Sequence, residues 1–179
     1  MLIRQARISD AAAIARVHVD SWRTTYPGIV PDDYLAGLSY EQRSGVWQRI
    51  LSEAEADAAQ SNYVAVDEDG AVVGFAGGGP ERSGDPDYAG ELYVIHLLKD
   101  SQRRGVGRRL VTSVASDLIS NGMRSMLVWV LVQNRPACLF YEALGGLPAR
   151  EQEVSLGGLP LVEVGYGWQD IGPLTEATG

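Results

Sequence analysis

The segment from Gln102 to Leu110 constrains the fold more than any other part of the sequence. It reads Gln-Arg-Arg-Gly-Val-Gly-Arg-Arg-Leu and lies between an apolar stretch that ends at Leu98 and a helical pattern that runs to Ser120. Glycines at such a junction allow backbone conformations that other residues avoid. The open amides at the start of a helix, together with its dipole, favour an anion. The sequence therefore predicts a strand, an anion-binding loop and a helix in succession.

Two common nucleotide-binding motifs do not fit this loop. A P-loop ends in Gly-Lys-Ser or Gly-Lys-Thr, but the only lysine of the chain, Lys99, precedes the glycines. A dinucleotide-binding fingerprint needs a third glycine where Leu110 stands. It also needs an acidic residue about twenty positions later, and residues 123–132 offer none. The loop therefore belongs to neither class.

The remaining periodicities predict one mixed α/β domain over residues 1–174, with a frayed C-terminus at 175–179. Strands are expected at 1–6, 62–66, 71–76, 88–98, 125–132, 154–156 and 162–168. Helices are expected at 11–23, 40–59, 105–120 and 134–143, with a short helical turn at 31–35. The glycine-rich segment 77–80 and the residues up to 86 are expected to form a mobile surface loop.

Charge and composition narrow the functional classes. The 179-residue chain has a formal net charge of −8, whereas a nucleic-acid-binding domain needs a positive surface. Every uncharged run is much shorter than the roughly 20 residues of a transmembrane helix, and charges at Arg4 and Arg7 argue against a signal peptide. Cys138 and the two histidines do not have metal-ligand spacing. We expect a cytoplasmic protein without a metal, nucleic-acid or membrane partner.

One region runs against the acidic balance of the chain. Residues 95–135 include seven basic and two acidic side chains, so this region carries a charge of +5 in a chain of −8. Such an island is explained either by a solvated helix face or by a docked anion. The glycine loop inside it favours the docked anion.

In this context the chain resembles the GCN5-related N-acetyltransferase (GNAT) family. The loop matches the family pattern Gln/Arg-x-x-Gly-x-Gly/Ala, with the apolar strand 91–97 before it, a helix after it, then the strand 127–132, Asn134 and Tyr141. Lys99 departs from the family, in which many members have proline there. The resemblance covers nearly the whole chain. It implies an α/β GNAT fold with a mixed seven-stranded sheet, splayed between strands 4 and 5 and flanked by about four helices.

The resemblance implies acetyl-CoA as co-substrate. Backbone amides of the loop would hold the pyrophosphate, with arginine side chains adding contacts unless they only solvate the helix. The pantetheine arm would lie in the splay of the sheet, against the strand backbone. The expected coenzyme-binding residues are Ile95, Leu97, Gln102, Arg103, Arg104, Gly105, Val106, Gly107, Arg108 and Asn134.

Glu91 and Tyr141 are the expected catalytic residues. Tyr141 lies seven residues after Asn134, so both face the same side of a helix. A phenol can protonate a departing thiolate, and family members usually have their general acid at this position. Glu91 resembles a glutamate that serves other members as the base, often through a water, although it could instead be a solvent-facing carboxylate. Strand alternation places His96 on the face opposite to Glu91, which favours a packing role for His96.

The sequence indicates the residues that bind the acceptor less clearly than those that bind the coenzyme. Trp22, Tyr26 and Trp129 are candidate pocket residues, but core or lid packing explains them too, and explains Trp129 better. The implied function is transfer of acetyl to a primary amine of a small molecule or peptide by direct attack. The alternatives are a coenzyme A-binding regulatory module without catalysis, and a transferase that uses another acyl-CoA or an alcohol acceptor. A homodimer through the last hairpin also remains open.

Overall fold

The computed structural model describes residues 1–176, and its core is one seven-stranded sheet. The strands lie in the order β1-β2-β3-β4-β5-β7-β6. All neighbours are antiparallel except β4 and β5, which are parallel. The mixed seven-stranded sheet is therefore confirmed. Its strands are β1 (Leu2–Gln5), β2 (Ser61–Val66), β3 (Val72–Pro80), β4 (Gly90–Leu97), β5 (Met126–Leu131), β6 (Leu147–Leu156) and β7 (Leu159–Trp168).

Six α-helices accompany the sheet within residues 1–176, whereas about four are expected from the sequence. They are α1 (Ala11–Thr25), α2 (Asp32–Ala36), α3 (Tyr40–Ala56), α4 (Val106–Ser120), α5 (Arg135–Ala143) and α6 (Gly172–Thr175). The difference comes from the two short helices, α2 and α6. Thr175 falls in the predicted frayed segment but ends α6, where its hydroxyl donates to the Gly172 carbonyl at 2.8 Å. Residues 177–179 lie outside the described part of the chain.

The helices cover both faces of the sheet. On one face, α4 packs its buried side chains against β4, β5 and β7 in one apolar cluster that also includes Tyr141 of α5. On the other face, α1 and α3 pack against β2 and β3 through Ile14, Trp47 and Phe75. The predicted start of α3 is confirmed, because the Ser39 hydroxyl accepts a hydrogen bond from the Gln42 amide at 3.2 Å.

The prediction of a mobile loop at residues 77–80 is wrong, because these residues complete β3 and the three glycines are buried. A Cβ on Gly77 would lie 2.6 Å from the Asn62 side chain, and one on Gly78 would lie 2.6 Å from Val114. The glycines therefore allow neighbouring elements to approach both faces of the strand. Glycine content alone cannot separate this close packing from a turn.

A bulge in β4 overturns the predicted orientation of His96. In the register with β3, Leu92 pairs with Gly78 and Val94 with Gly77, so Tyr93 is an extra residue. The bulge shifts the alternation of β4 by one position. Glu91 pairs with Gly79, and His96 pairs with Phe75. Gly79 and Phe75 are four positions apart on β3, so they face the same side of the sheet. Glu91 and His96 therefore lie on the same face of the sheet, the face that carries α1 and α3.

The predicted splay between strands 4 and 5 is confirmed by their pairing. In residues 1–176, β4 and β5 pair only at Gly90 with Met126 and at Glu91 with Leu127. Beyond these positions the two strands separate, so the later backbone of β4 has no strand beside it on the β5 side. The gap places exposed strand backbone next to the loop that precedes α4.

Candidate active site

The gap between β4 and β5 opens into a cavity of about 1490 Å³. Residues 94–97 of β4 and 128–131 of β5 form its two edges, and the loop before α4 forms one end. Side chains from α1, α3 and α5 complete the wall. A cavity of this size, with both strand backbone and aromatic side chains in its wall, can hold a long flexible ligand together with a second small molecule.

The loop between β4 and α4 presents a row of backbone amides. It begins after a turn of 3₁₀-helix in which the Ser101 amide donates to the Leu98 carbonyl at 2.9 Å. Arg103 and Gly105 then adopt positive φ angles of 58° and 75°, which turn successive N–H groups outward. Buried Val106 anchors the first turn of α4 in the core. Within residues 1–176, the amides of residues 103–105 make no hydrogen bond of ordinary geometry to another backbone group. Val106 and Gly107 lie in the first turn of α4, where amides have no acceptor within the helix.

These residues fit the diphosphate of a coenzyme A molecule. Five outward amides at the start of a 15-residue helix combine hydrogen-bond donors with the positive end of the helix dipole. The side chains of Gln102, Arg103 and Arg104 are exposed around them, and Arg103 and Arg108 line the cavity. A Cβ on Gly107 would lie 3.2 Å from the Phe140 ring, so glycine permits α5 to approach the loop closely.

The backbone of β4 offers its own hydrogen-bonding groups to the gap. The Leu98 amide donates to the Val73 carbonyl of β3 at 2.9 Å. Alternate residues of a strand direct their N–H and C=O groups to opposite edges. The groups of Ile95 and Leu97 therefore point away from β3 and toward the gap, although the Leu97 carbonyl also accepts from the Gln102 side chain at 3.3 Å. A ligand with amide groups can pair with this edge.

Asn134 and Tyr141 of α5 both line the cavity, as their spacing predicts. Asn134 caps α5 by accepting from the Ala137 amide at 3.4 Å, and its Nδ2 lies 3.5 Å from the Tyr26 hydroxyl. Tyr141 is 5% exposed. In the described part of the chain no hydrogen bond contributes to the environment of its hydroxyl, and the residue borders the cavity. Burial raises the pKa of Tyr141 well above its usual value, so the phenol stays protonated at physiological pH.

Glu91 is buried at 3% exposure and forms an ion pair with Arg82. The Arg82 Nε donates to Glu91 Oε2 at 3.0 Å, and Arg82 Nη2 donates to Oε1. The Arg82 guanidinium also stacks on the Tyr93 ring, 4.0 Å from its centroid. Arg82 and Tyr93 line the cavity, whereas Glu91 does not. Glu91 is thus neither a solvent-facing carboxylate nor a free one, and Arg82 controls access to it.

An aromatic cluster that the sequence did not reveal forms the cavity wall on the side of α1 and α3. The rings of His18 and His96 lie 4.9 Å apart. Trp47 Nε1 donates to His18 Nδ1, and Trp22 Nε1 donates to His96 Nε2, both at 3.3 Å. Because these ring nitrogens accept hydrogen bonds, both histidines are neutral. The prediction that His96 serves a packing role therefore agrees with its contacts, although its predicted face is wrong.

We expect this histidine pair to destabilise the fold as the pH falls below 6.5. Burial, together with the Arg43 charge, lowers the pKa of His96 from 6.5 to about 4. Burial and the His96 and Arg43 charges lower that of His18 to about 2. Between pH 6.5 and 4 the unfolded chain therefore binds more protons than the folded one. The free energy of unfolding should fall by about 1.4 kcal/mol per pH unit for each such proton.

Urea denaturation between pH 7.5 and 5 measures this slope. The double variant His18→Asn, His96→Gln keeps an acceptor for each tryptophan but cannot be protonated. Its stability should depend less steeply on pH than that of the parent. Parallel pH profiles for the two proteins would contradict the pKa shifts.

The three candidate acceptor residues all line the cavity. Trp22 and Tyr26 pack together with ring centroids 4.7 Å apart, at the end of α1. Trp129 lies on β5, where it is half-buried and pairs with Gly165 of β7; its ring lies 3.3 Å from the position that a Cβ on Gly165 would take. Cys138 is 1% exposed, with its Sγ 3.9 Å from the Leu131 carbonyl, in agreement with a core role.

A model of the acetyltransferase (GNAT) family matches residues 19–146, a range that contains β2 to β5, the amide row and α5. The chain belongs to the GNAT family. It is therefore an acyltransferase of the GNAT type, as the loop pattern predicted.

Among residues 1–176 no group of three or more His, Cys, Asp or Glu side chains is arranged to hold a metal ion. No helix in the same range is long and apolar enough to cross a membrane.

Known proteins are similar to this acyltransferase in sequence or in fold. It is 43% identical over 172 residues to the uncharacterized N-acetyltransferase YuaI of Bacillus subtilis, an alignment that covers 96% of this chain and 95% of that protein. Its fold is similar to that of the PaiA N-acetyltransferase of Thermoplasma acidophilum, solved with coenzyme A. That comparison has a TM-score of 0.74 and 18% identity, and covers 91% of this chain and 96% of the other.

A second solved structure is that of the acetyltransferase YncA of Salmonella typhimurium with acetyl-CoA. It has a TM-score of 0.70 and 22% identity, and the match covers 100% of this chain and 96% of that one. At these identities the two structural likenesses establish the fold alone. Both proteins were solved with coenzyme A or its acetyl thioester.

Proposed function

We propose that this acyltransferase moves the acetyl group of acetyl-CoA to a primary amine of a small molecule or peptide by direct attack. The observation that carries the proposal is the row of amides at residues 103–107, which have no backbone acceptor in the loop or in the first turn of α4 and lie at the end of an opened sheet. A diphosphate at this row would direct the rest of the coenzyme along β4, toward the cavity wall that contains Tyr141.

On the coenzyme side, the residues divide into three groups. The backbone from Gln102 to Arg108 holds the diphosphate, and the guanidinium groups of Arg103, Arg104 and Arg108 add positive charge. The backbone of Ile95 and Leu97 pairs with the amides of the pantetheine arm, and Asn134 contacts the same arm. Bound acetyl-CoA supplies an activated acetyl thioester. These groups fix its position by binding, without forming a bond to it.

Tyr141 is proposed to hold the proton that the departing sulfur requires. The residue borders the cavity, no hydrogen bond within residues 1–176 contributes to the environment of its hydroxyl, and the phenol stays protonated because burial raises its pKa. Because the phenol is still protonated when the sulfur departs, it can donate its proton to that sulfur.

Glu91 is proposed as the base that takes the proton from the acceptor amine, through a water. Both carboxylate oxygens are bonded to Arg82, so a direct contact with the amine would require Arg82 to turn away. Arg82 lies on the exposed segment between β3 and β4 and can make this movement without disturbing the core. The bulge at Tyr93 puts Glu91 on the same face of the sheet as His96, which supports a role for Glu91 near the aromatic wall of the cavity.

Glu91→Gln is expected to lower kcat/KM about tenfold. This loss is smaller than the roughly 100-fold or more that a base in direct contact provides, because a water relays the proton. Glu68→Gln, in the exposed turn between β2 and β3, is the matched control and should behave like the parent. A Glu91→Gln variant that keeps the parent's kcat/KM would exclude the base role.

On the acceptor side, Trp22 and Tyr26 are proposed to shape the pocket, with Trp129 on the opposite strand. The last hairpin, formed by β6 and β7, exposes Leu147 at 70% and Leu159 at 42%. These apolar side chains support the proposal of a homodimer through that hairpin. A cytoplasmic location stays a prediction from the sequence.

Thiol release from acetyl-CoA, measured over a panel of amines, tests the proposed function. The panel contains alkylamines, amino acids, an amino sugar and a short peptide, with matched alcohols as controls. We expect release with at least one amine and none with the alcohols. Tight binding of acetyl-CoA without release for any acceptor would instead support the regulatory module, and release only with a longer acyl-CoA would identify a different acyl donor.

A further inference from the structure

Arg43 is the feature of the cavity that the acetyl-transfer scheme leaves unused. It lies on α3, is half-buried, and lines the cavity on the acceptor side. In the described residues its side chain forms no ion pair, no hydrogen bond and no stacking contact on an aromatic ring. A guanidinium that is partly removed from water and has no acidic partner favours an anion in front of it.

The position of Arg43 separates it from the other cations of the cavity. Lys99, Arg103 and Arg108 belong to the coenzyme end, and Arg82 is already paired with Glu91. Arg43 instead lies close to the histidine pair, because its charge contributes to the lowered pKa of both His18 and His96. It therefore faces the compartment in which the acceptor must lie.

The side chains around Arg43 indicate the chemistry of the rest of the acceptor. Val46, Trp47 and Ile50 line the cavity from the same helix, and Trp22 lines it from α1. The two histidines beside them are held neutral by the tryptophan hydrogen bonds. An acceptor at these four side chains thus meets an apolar, aromatic surface beside one fixed positive charge, while Ser21, Thr24 and Asp57 also line the cavity. Glu91, the proposed base, lies on the same face of the sheet as His96.

We propose that the acceptor is a free α-amino acid with an apolar side chain, whose carboxylate binds the Arg43 guanidinium. This inference rests on the proposed function, since it names the class of amine that the transferase acetylates. Arg43 fixes the carboxylate, the tryptophan wall contacts the side chain, and the amino group is left free to face the acetyl group. Arg43 is a specificity residue in this scheme and takes no part in proton transfer.

The acetylated products give the cleanest test, because they carry no basic amine. N-acetyl-L-leucine and N-acetyl-3-methylbutylamine differ only by the carboxylate. With coenzyme A saturating, titration followed by tryptophan fluorescence should show that the parent binds the carboxylate-bearing compound at least about tenfold more tightly, as a charge-assisted hydrogen bond provides. Arg43→Gln should abolish this preference, and Arg43→Lys should retain part of it.

Arg49→Gln is the matched control, because Arg49 lies on the exposed side of the same helix. It should keep the parent's preference for the carboxylate. Equal affinities of the parent for the two compounds, or an equal preference in the parent and in Arg43→Gln, would overturn the inference.

Kinetics separate this inference from the proposed function. L-leucine and 3-methylbutylamine are compared in the thiol-release assay, and Arg43→Gln is expected to raise KM for leucine at least about tenfold while leaving KM for the amine unchanged. The carboxylate also alters the basicity of the amine. The deciding quantity is therefore the ratio of KM for the amine to KM for leucine, and how far Arg43→Gln changes it. Release from amines with no effect of Arg43→Gln on the ratio contradicts the Arg43 role alone. No release from any amine contradicts the proposed function.

Discussion

Tyr141→Phe is expected to lower kcat at least about 100-fold, the contribution typical of a positioned general acid. The substitution removes one hydroxyl from a ring that is otherwise buried against Tyr166 and Trp168, so the packing of α5 is retained. The affinity for acetyl-CoA should change less than twofold or so, because the loop before α4 does not contact this hydroxyl. Stopped-flow or steady-state thiol release measures kcat, and calorimetry measures the affinity.

Tyr166→Phe is the matched control for this prediction. Tyr166 is also a buried tyrosine, but its hydroxyl donates to Glu142 at 2.7 Å and does not line the cavity. It should cost some stability, since the hydrogen bond to the Glu142 carboxylate is lost, and leave kcat near the parent value. The raised pKa of Tyr141 further predicts that the parent keeps its kcat up to pH 9. Full turnover in Tyr141→Phe would remove this residue from the mechanism.

Gly105→Val is expected to weaken coenzyme A binding at least about 100-fold. Gly105 has a φ of 75°, which a β-branched residue avoids, and no atom lies within 4 Å of the position of a Cβ. The substitution therefore acts through the backbone, by turning the neighbouring amides away from the diphosphate. Each hydrogen bond to a charged group contributes about 1.5–3 kcal/mol, so losing two of them accounts for the expected change.

Gly70→Val controls for the strain itself. Gly70 lies in the turn between β2 and β3, with a φ of 85° and equally open space around a Cβ. Both variants should lower the melting temperature by similar amounts, and only Gly105→Val should change the calorimetric affinity for coenzyme A. Equal affinities in the two variants would mean that the loop conformation does not govern binding.

Local patterns predicted most of the fold because most of its elements are locally determined. The Ser39 cap, the apolar spacing of α1 and α4, and the continuous apolar run of β5 each depend on a few neighbouring residues. Residues 77–80 and the Tyr93 bulge depend instead on other strands. The glycines of β3 accommodate Asn62 and Val114, and the bulge is defined only by the pairing of β4 with β3. Neither feature has a signal within its own segment.

In the candidate site, too, some residues could be predicted from local patterns and others depend on distant elements. The amide row follows from the glycine spacing, and Asn134 and Tyr141 follow from helical periodicity. The Arg82 partner of Glu91 comes from a loop, where sequence carries little positional information. The cluster of His18, Trp47 and Arg43 is assembled from α1 and α3. The spacing of His18 and Trp22 on one helix face hinted at half of it, but nothing in the sequence places α3 beside them.

Amide NMR tests most directly whether the backbone amides after β4 bind a diphosphate. In a ¹⁵N-labelled sample titrated with coenzyme A, the signals of residues 103–107 should move downfield as each N–H gains an anionic acceptor. Pantetheine, which has the same arm but no diphosphate, should leave these five signals in place while moving those of Ile95 and Leu97. Binding of coenzyme A with the signals of residues 103–107 unmoved would contradict the account.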